Sequence, residues 1–286
     1  MRRMDVEFLC SDSMGVRSMS IFIDLGIKMI IDPSASLGPY RYGLRPTKIE
    51  YDKLIECKNK IRMKAKMSDI VIITHYHYDH YDPDEDFYVG KKLIIKDPKN
   101  DINRSQKIRA EYFLSKVGNY LIADSNGYHF WDTRVKFTGP FHHGNEKSRL
   151  GYVVAVIVEK NKKIVFTSDV EGPVVEEVKD FIIKENPDIA IIDGPPTYFL
   201  GYKFSQNDLE RARENLKAIS KEIDKIVLDH HLLRDLKYRE ILKDVYVNGN
   251  ILTYAEMNGE EINTLEAHRK ELYREGYDEV NLDFKE

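Results

Sequence analysis

Cysteine is nearly missing from this chain, which has two in 286 residues, Cys10 and Cys57. So few thiols exclude a disulfide-rich scaffold, and neither has a Cys or His neighbour at ligand spacing, which excludes a thiolate zinc cage. The pair reads as two free thiols in a reducing compartment, with one bridge between them as the alternative. An excess of one charge is also missing: Lys+Arg 44 against Asp+Glu 48 leaves a formal net charge of -4. No global basic field therefore draws nucleic acid from a distance. Apolar runs are short, and the run 151–158 has the length of a strand and not of a membrane span. The start, Met1-Arg2-Arg3-Met4-Asp5, leads into a strand-like segment without the apolar core of a signal peptide. A cytoplasmic location with no membrane partner is expected. Repeats, Gly/Ser or Pro-rich linkers and low-complexity tracts are absent too, so residues 1–286 are expected to form a single domain.

What is present begins with 42% hydrophobic residues, enough for a sizeable core. Short apolar runs punctuated by turns predict strands at 5–10, 18–24 and 28–31, followed by a helix over 47–67. Further strands are expected at 69–74, 92–96, 135–138, 152–159, 163–167, 189–193 and 225–229. Helices are expected at 105–116, at 174–185 before Asn186-Pro187, after Ser205, at 236–245 and at 261–275. Ser205 and Asp208 have the spacing of a capping box. Periodicity alone gives a mixed α/β or α+β protein.

The densest chemical signal is His75-Tyr76-His77-Tyr78-Asp79-His80, placed directly after the apolar run Ile70-Val71-Ile72-Ile73. Imidazole and carboxylate are the ligand set for Zn²⁺ and its first-row neighbours, and a loop leaving a strand can turn several of them toward one point. Three more candidate ligand groups follow, each where a predicted strand stops: His142-His143, Asp169, and His230-His231.

The pattern His-x-His-x-Asp-His, then His, Asp and His in that order, resembles the metallo-β-lactamase superfamily over most of the chain. The resemblance implies an α+β fold, an αββα sandwich of two mixed β-sheets flanked by helices. It implies two divalent metal ions, Zn first, with Mn or Fe as alternatives. Carried over, His75, His77 and one of His142/His143 bind the first metal, while Asp79, His80 and one of His230/His231 bind the second. Asp169 bridges them. His143-Gly144 with Leu150-Gly151-Tyr152, and Leu228-Asp229-His230, resemble elements of the transfer-RNA 3′-processing branch. They favour His143 and His230, with the other member of each pair left open. Asp32 matches an early supporting Asp.

Such a site implies a hydrolase: two cations lower the pKa of a bridging water and stabilise the charge that grows on an acyl or phosphoryl oxygen. Asp79 is also the candidate for orienting that water. His231 and Arg234, just past the last ligand, are candidates for protonating or holding the leaving group, set against helix capping, packing, or pairing of Arg234 with Asp229 or Asp235. Asp229 is a candidate support for a ligand imidazole. Arg17, Ser13 and Tyr198 lie in turn-like segments that could contact substrate. The expected partner is a small-molecule or nucleotide-like substrate, with a phosphodiester preferred. The basic segment 58–66 offers a nucleic-acid track or simply a solvated helix face, and the second is favoured. The alternatives are a di-iron redox enzyme of the same fold, disfavoured by His rather than Glu at position 77, and a non-catalytic metal-binding scaffold. These segments together resemble an archaeal group of metal-dependent hydrolases, for which the resemblance supplies a fold and no substrate.

Overall fold

The structure, a computed structural model, describes residues 5–281. The first four residues, part of the segment on which the expectation about a signal peptide rests, lie outside that range. Strands β1 (Asp5–Ser11), β2 (Met19–Asp24), β3 (Lys28–Ile31), β4 (Ile70–Ile73), β5 (Lys92–Ile95) and β6 (Tyr120–Ile122) form one sheet in sequential order. Its first two pairings are antiparallel, and β3 to β6 run parallel. Helices α1 (Lys48–Met67) and α2 (Arg104–Leu114) supply crossovers of that parallel half.

The second sheet uses β7 (Gly127–Phe130), β8 (Thr133–Phe137), β11 (Val156–Glu159), β12 (Lys163–Phe166), β13 (Ile189–Asp193), β14 (Ile226–Asp229) and β15 (Ile251–Leu252). Their order is β15-β14-β13-β12-β11-β8-β7, parallel from β12 to β15 and antiparallel beyond. Strands β9 (Phe141–His142) and β10 (Tyr152–Val153) make a separate small hairpin. The remaining helices are α3 (Glu176–Glu185), α4 (Gln206–Glu222) and the short α5 (Tyr238–Ile241), α6 (Tyr254–Asn258) and α7 (Arg269–Arg274).

Side-chain parity explains the layering. In β4 every residue is buried, yet Ile70 and Ile72 pack between the sheets while Val71 and Ile73 pack under α1 and α2. In β13, Ile191 faces the other sheet while Ala190 and Ile192 face α3 and α4. Strands buried on both faces read as unbroken apolar runs, and the period of two decides which layer each residue fills. Each such Ile or Val contributes roughly 1.5–3 kcal/mol of burial. The result is the expected αββα sandwich.

Local sequence sets the helix ends. Thr47 and Glu50 form a reciprocal capping box at α1, and Ser205 caps α4 by accepting from the Asp208 amide at 3.0 Å. The basic face of α1 is spent on acids: Lys58 on Asp82, Arg62 on Glu85, Lys64 on Glu7 and Lys66 on Asp86. Among the described residues no helix is long and apolar enough to cross a membrane.

Four differences from the sequence reading stand out. The expected strand 152–159 breaks at Val154-Ala155, because its first two residues pair in the β9–β10 hairpin and the rest joins the second sheet. The helices expected at 236–245 and 261–275 shrink to α5 and α7. Strands β6 and β7 escape the reading because their half-exposed residues carry no clear alternation. Finally, Cys10 and Cys57 are not free: they form a disulfide with Cα atoms 6.1 Å apart. Both lie in the layer between β1 and α1, where helix packing brings them within bridging range.

Candidate metal centre

The site lies where strands of both sheets end. The loop after β4 carries His75, His77, Asp79 and His80; the turn after β12 carries Asp169; and β14 runs straight into a single 3-10 turn, His230–Arg234. Asp32 follows β3, and His143 follows β9. Three of these turns pass through a left-handed residue that is not glycine: Asp32 (φ 49°), Ser168 (φ 59°) and His230 (φ 66°). Such a backbone costs on the order of 1–3 kcal/mol each, and it reverses the chain sharply at the sheet edge. Gly144 (φ 89°) lies in the same left-handed region, which a residue carrying a Cβ adopts only with strain.

Asp169 is the hub. Its carboxylate lies 3.5 Å from His75 Nε2, 3.0 Å from His80 Nε2, 3.2 Å from His143 Nε2 and 3.5 Å from His230 Nε2. His75, His77, His143 and Asp169 can converge on one ion, and Asp79, His80 and His230 on another. Four buried atoms here have no hydrogen-bond partner: His80 Nε2, His143 Nδ1, His143 Nε2 and Asp169 Oδ1. An orphaned buried polar atom costs roughly 1–3 kcal/mol. Their convergence fits a cation, which would satisfy several of them at one point.

Outer carboxylates and hydroxyls set the rings. His80 Nδ1 faces Asp32 at 2.8 Å, His230 Nδ1 faces Asp12 at 2.7 Å, and His75 Nδ1 faces Ser168 Oγ at 3.2 Å. Nδ1 engaged by such a partner leaves Nε2 for a metal, the usual arrangement of a ligating histidine. Burial, helped by neighbouring His80, holds the His75 imidazole down at about 4, and burial beside His75 and His143 holds His77 well below its usual range. At His80 burial opposes the cation, but Asp169, Asp32 and Asp79 outweigh it and raise the ring well above its usual range. His230 is raised to about 10 against burial, chiefly by Asp169. Asp169 itself stays well below the carboxylate range despite burial, because His80, His230 and His75 surround it. The carboxylates thus favour positive charge at His80 and His230, while burial keeps His75 and His77 neutral.

Above the cluster opens a cleft of about 540 Å³, lined among others by His77, Asp79, His143, Asp169, His231 and Arg234. Arg17 and Tyr198 line it too, whereas Ser13 is buried and serves the backbone, its amide donating to Asp229 and its hydroxyl accepting from the Ala255 amide. Asp229 supports no imidazole ring: it accepts from Ser11 and from the amides of Ser13, His230 and Tyr254. Arg234 pairs with Asp12 at 2.8 Å, not with Asp229 or Asp235, and reaches Tyr198 OH at 3.4 Å. His231 Nδ1 faces Asp193 at 3.0 Å, and burial beside Arg234 and His230 holds the ring well below its usual range. His142 stands outside the cluster against Tyr152. Asp12, Asp193 and Ser168 are site residues that the sequence reading missed. Asp12 has a trace in the sequence, since it lies in the turn-like segment that begins at Ser11.

No family model matches the chain. The fold is similar to two solved structures. One is an isothiocyanate hydrolase from Delia radicum gut bacteria (20% identity, TM-score 0.52, 83% of this chain and 94% of the other). The other is a possible metal-dependent hydrolase from Veillonella parvula (14% identity, TM-score 0.53, the same coverage). At that identity the likeness concerns the fold, which is the metallo-β-lactamase fold. In sequence, the chain is 40% identical to a UPF0282 protein of Korarchaeum cryptofilum over 93% of each chain. It is 41% identical to one of Methanocaldococcus jannaschii over 92% of this chain and 94% of the relative. With similarity of that depth along nearly its whole length, the chain belongs to the UPF0282 family.

Proposed function

We propose that this protein is a binuclear metal-dependent hydrolase acting on a phosphodiester or related ester of small-molecule or nucleotide size. The observation that carries the reading is the convergence of five imidazoles and two carboxylates around Asp169, with orphaned nitrogen and oxygen atoms at the centre and a cleft above. His75, His77 and His143 would hold one ion, Asp79, His80 and His230 the other, with Asp169 between them. Zn²⁺ suits this N/O donor set best, and Mn²⁺ or Fe²⁺ suits it next. Bound there, the ions supply Lewis acidity and a water acidic enough to attack at neutral pH.

The chain's own residues do the rest. Asp79 holds its carboxylate 3.7 Å from His230 Nε2 and 3.8 Å from Arg234 Nη2, where it can orient the attacking water. Arg234, fixed through Nε by Asp12 and through Nη1 by the Tyr198 hydroxyl, lines the cleft, where its charge can face an anion. Water attacks phosphorus, the bond to the leaving oxygen breaks, and that oxygen takes up a proton. His231, fixed through Nδ1 by Asp193 and kept neutral by burial beside Arg234 and His230, lines the cleft where it can orient the water that delivers this proton. Arg109, a lining cation with no carboxylate partner among the described residues, supports a phosphate-bearing substrate over a neutral lactam.

The test is elemental analysis of the purified protein together with turnover of bis-p-nitrophenyl phosphate, comparing wild type with Asp79→Ala and His143→Ala. About two equivalents of Zn or Mn, with hydrolysis lost in both variants, is the expected outcome. Iron without hydrolysis would indicate a redox enzyme, and absence of metal a scaffold.

A further inference from the structure

Four cationic side chains line the cleft, and three already have an acid. Arg17 donates twice to Glu266 at 2.6 Å, Arg234 donates to Asp12 at 2.8 Å, and Lys58 reaches Asp82 at 2.8 Å. Arg109 is different. Among the described residues it has no carboxylate partner; its hydrogen bond is from Nη1 to the Tyr76 carbonyl at 3.4 Å, and its Nε is shut off from water without an acceptor. The guanidinium lies over the Tyr78 ring at 4.6 Å. Arg109 therefore grips the residues on either side of His77, in the ligand loop itself.

Its position is fixed by its helix. One turn earlier on α2, buried Gln106 accepts from the Tyr76 amide at 3.0 Å and donates to the Leu150 carbonyl at 2.6 Å. Helix α2 is thus docked on the ligand loop, and the Arg109 fork is oriented before anything binds. A half-buried guanidinium has five N–H donors. Packing on Tyr78 alone would be served by an apolar side chain with no unmet donors. A flat, oriented fork on an aromatic face is the geometry that recognises an oxyanion in two bonds. The cleft, at about 540 Å³, also has room for more than the phosphodiester that reacts.

We propose that Arg109 is the receptor for a second phosphate on the substrate, carried away from the bond that is cleaved. This deepens the phosphodiesterase reading and rests on it for the identity of the anion. It makes Arg109 a specificity-determining residue.

The test uses two chromogenic esters, thymidine 5′-(p-nitrophenyl phosphate) with a free 3′-hydroxyl and the same ester with a 3′-phosphate. Wild type should favour the 3′-phosphorylated ester by about tenfold or more in kcat/KM, mostly through KM. Arg109→Gln should bring that ratio close to one, and Arg109→Lys, which keeps the charge and loses the fork, should fall between. A wild-type ratio of one, or an Arg109→Gln ratio equal to wild type, overturns the proposal and leaves the hydrolase standing. If neither ester is turned over, the phosphodiesterase reading fails, and calorimetry with thymidine 3′,5′-bisphosphate decides for Arg109. Binding weakened about tenfold in Arg109→Gln supports the anion site; equal affinity, or no binding by either, overturns it.

Discussion

The Asp12 carboxylate stands 2.7 Å from Nδ1 of His230, 218 residues away in the chain. Asp12 begins the turn after the first sheet's edge strand and His230 directly follows β14 of the second sheet, so one contact ties the sheets together at the candidate metal centre. The same carboxylate accepts from Arg234 Nε at 2.8 Å. Replacing an outer carboxylate of this kind weakens metal binding by about 10–100-fold. Asp12→Asn keeps the shape and drops the charge, so competition against a chromogenic zinc chelator should show a loss in that range with an unchanged circular dichroism spectrum. Unaltered zinc affinity would remove His230 from the ligand set.

Asp169 predicts how the fold responds to metal. It is buried and ringed by four imidazoles within 3.5 Å, and the cluster retains unsatisfied atoms. A ligand bound only by the native state stabilises it by roughly 4 kcal/mol at a thousand times its dissociation constant. Stripping the protein with a strong chelator should therefore lower its melting temperature by several degrees, and Zn²⁺ should restore it. Asp169→Ala should melt at the same temperature with or without chelator. A wild type indifferent to chelation would show that the cluster holds no ion.

The candidate ligands were legible because each sits beside a strong local signal. His75, His77, Asp79 and His80 share six residues after a wholly apolar strand, and Asp169 and His230 come within three residues of the apolar runs Ile164-Val165-Phe166 and Ile226-Val227-Leu228. Asp32, which orients His80, was legible with them; the other acids that fix side chains of the site were not. Asp12, Asp193 and Glu266 are ordinary acids among 48 in the sequence, and their partners are separated from them by 218, 38 and 249 positions. Such pairings exist only after two sheets have stacked. The layering was readable for the same reason as the ligands: β4 and β13 are apolar without a break. Half-exposed β6 and one-turn α5 depend on neighbours that local pattern does not encode.

Glu266 gives the chain a predictable acid limb. Burial disfavours its charge, but Arg17, bound through two hydrogen bonds at 2.6 Å, overrides that and holds the carboxyl at about 2 against an ordinary 4.5. Gly38 leaves the space this pair occupies, since a Cβ there would strike both side chains. Because the folded-state value is depressed, the stabilisation is fully present above pH 4.5 and is lost as the pH falls toward 2. Its size is at most about 3 kcal/mol. Urea midpoints at pH 7, 4 and 3 should show Glu266→Gln less stable than wild type at neutral pH, with the gap narrowing at pH 3. A gap that stays constant with pH would mean that Arg17 does not hold the carboxylate charged.

The bridge between Cys10 and Cys57 spans 47 positions and links β1 to α1. Closing a loop of that length removes chain entropy worth about 4 kcal/mol from the unfolded state, an upper figure for real bridges. The same two elements are also joined by Lys64 to Glu7 at 2.6 Å and by Lys60 to the Phe8 carbonyl at 3.4 Å. Reduction should therefore weaken the docking of α1 without abolishing it. Thiol titration of freshly denatured protein should find no free cysteine until reductant is added, and reductant should lower the urea midpoint of wild type. Cys57→Ala should start at the lower midpoint and ignore the reductant. Two titratable thiols in the untreated protein would show that the pair is packed but not bonded, and the reductant effect would then vanish.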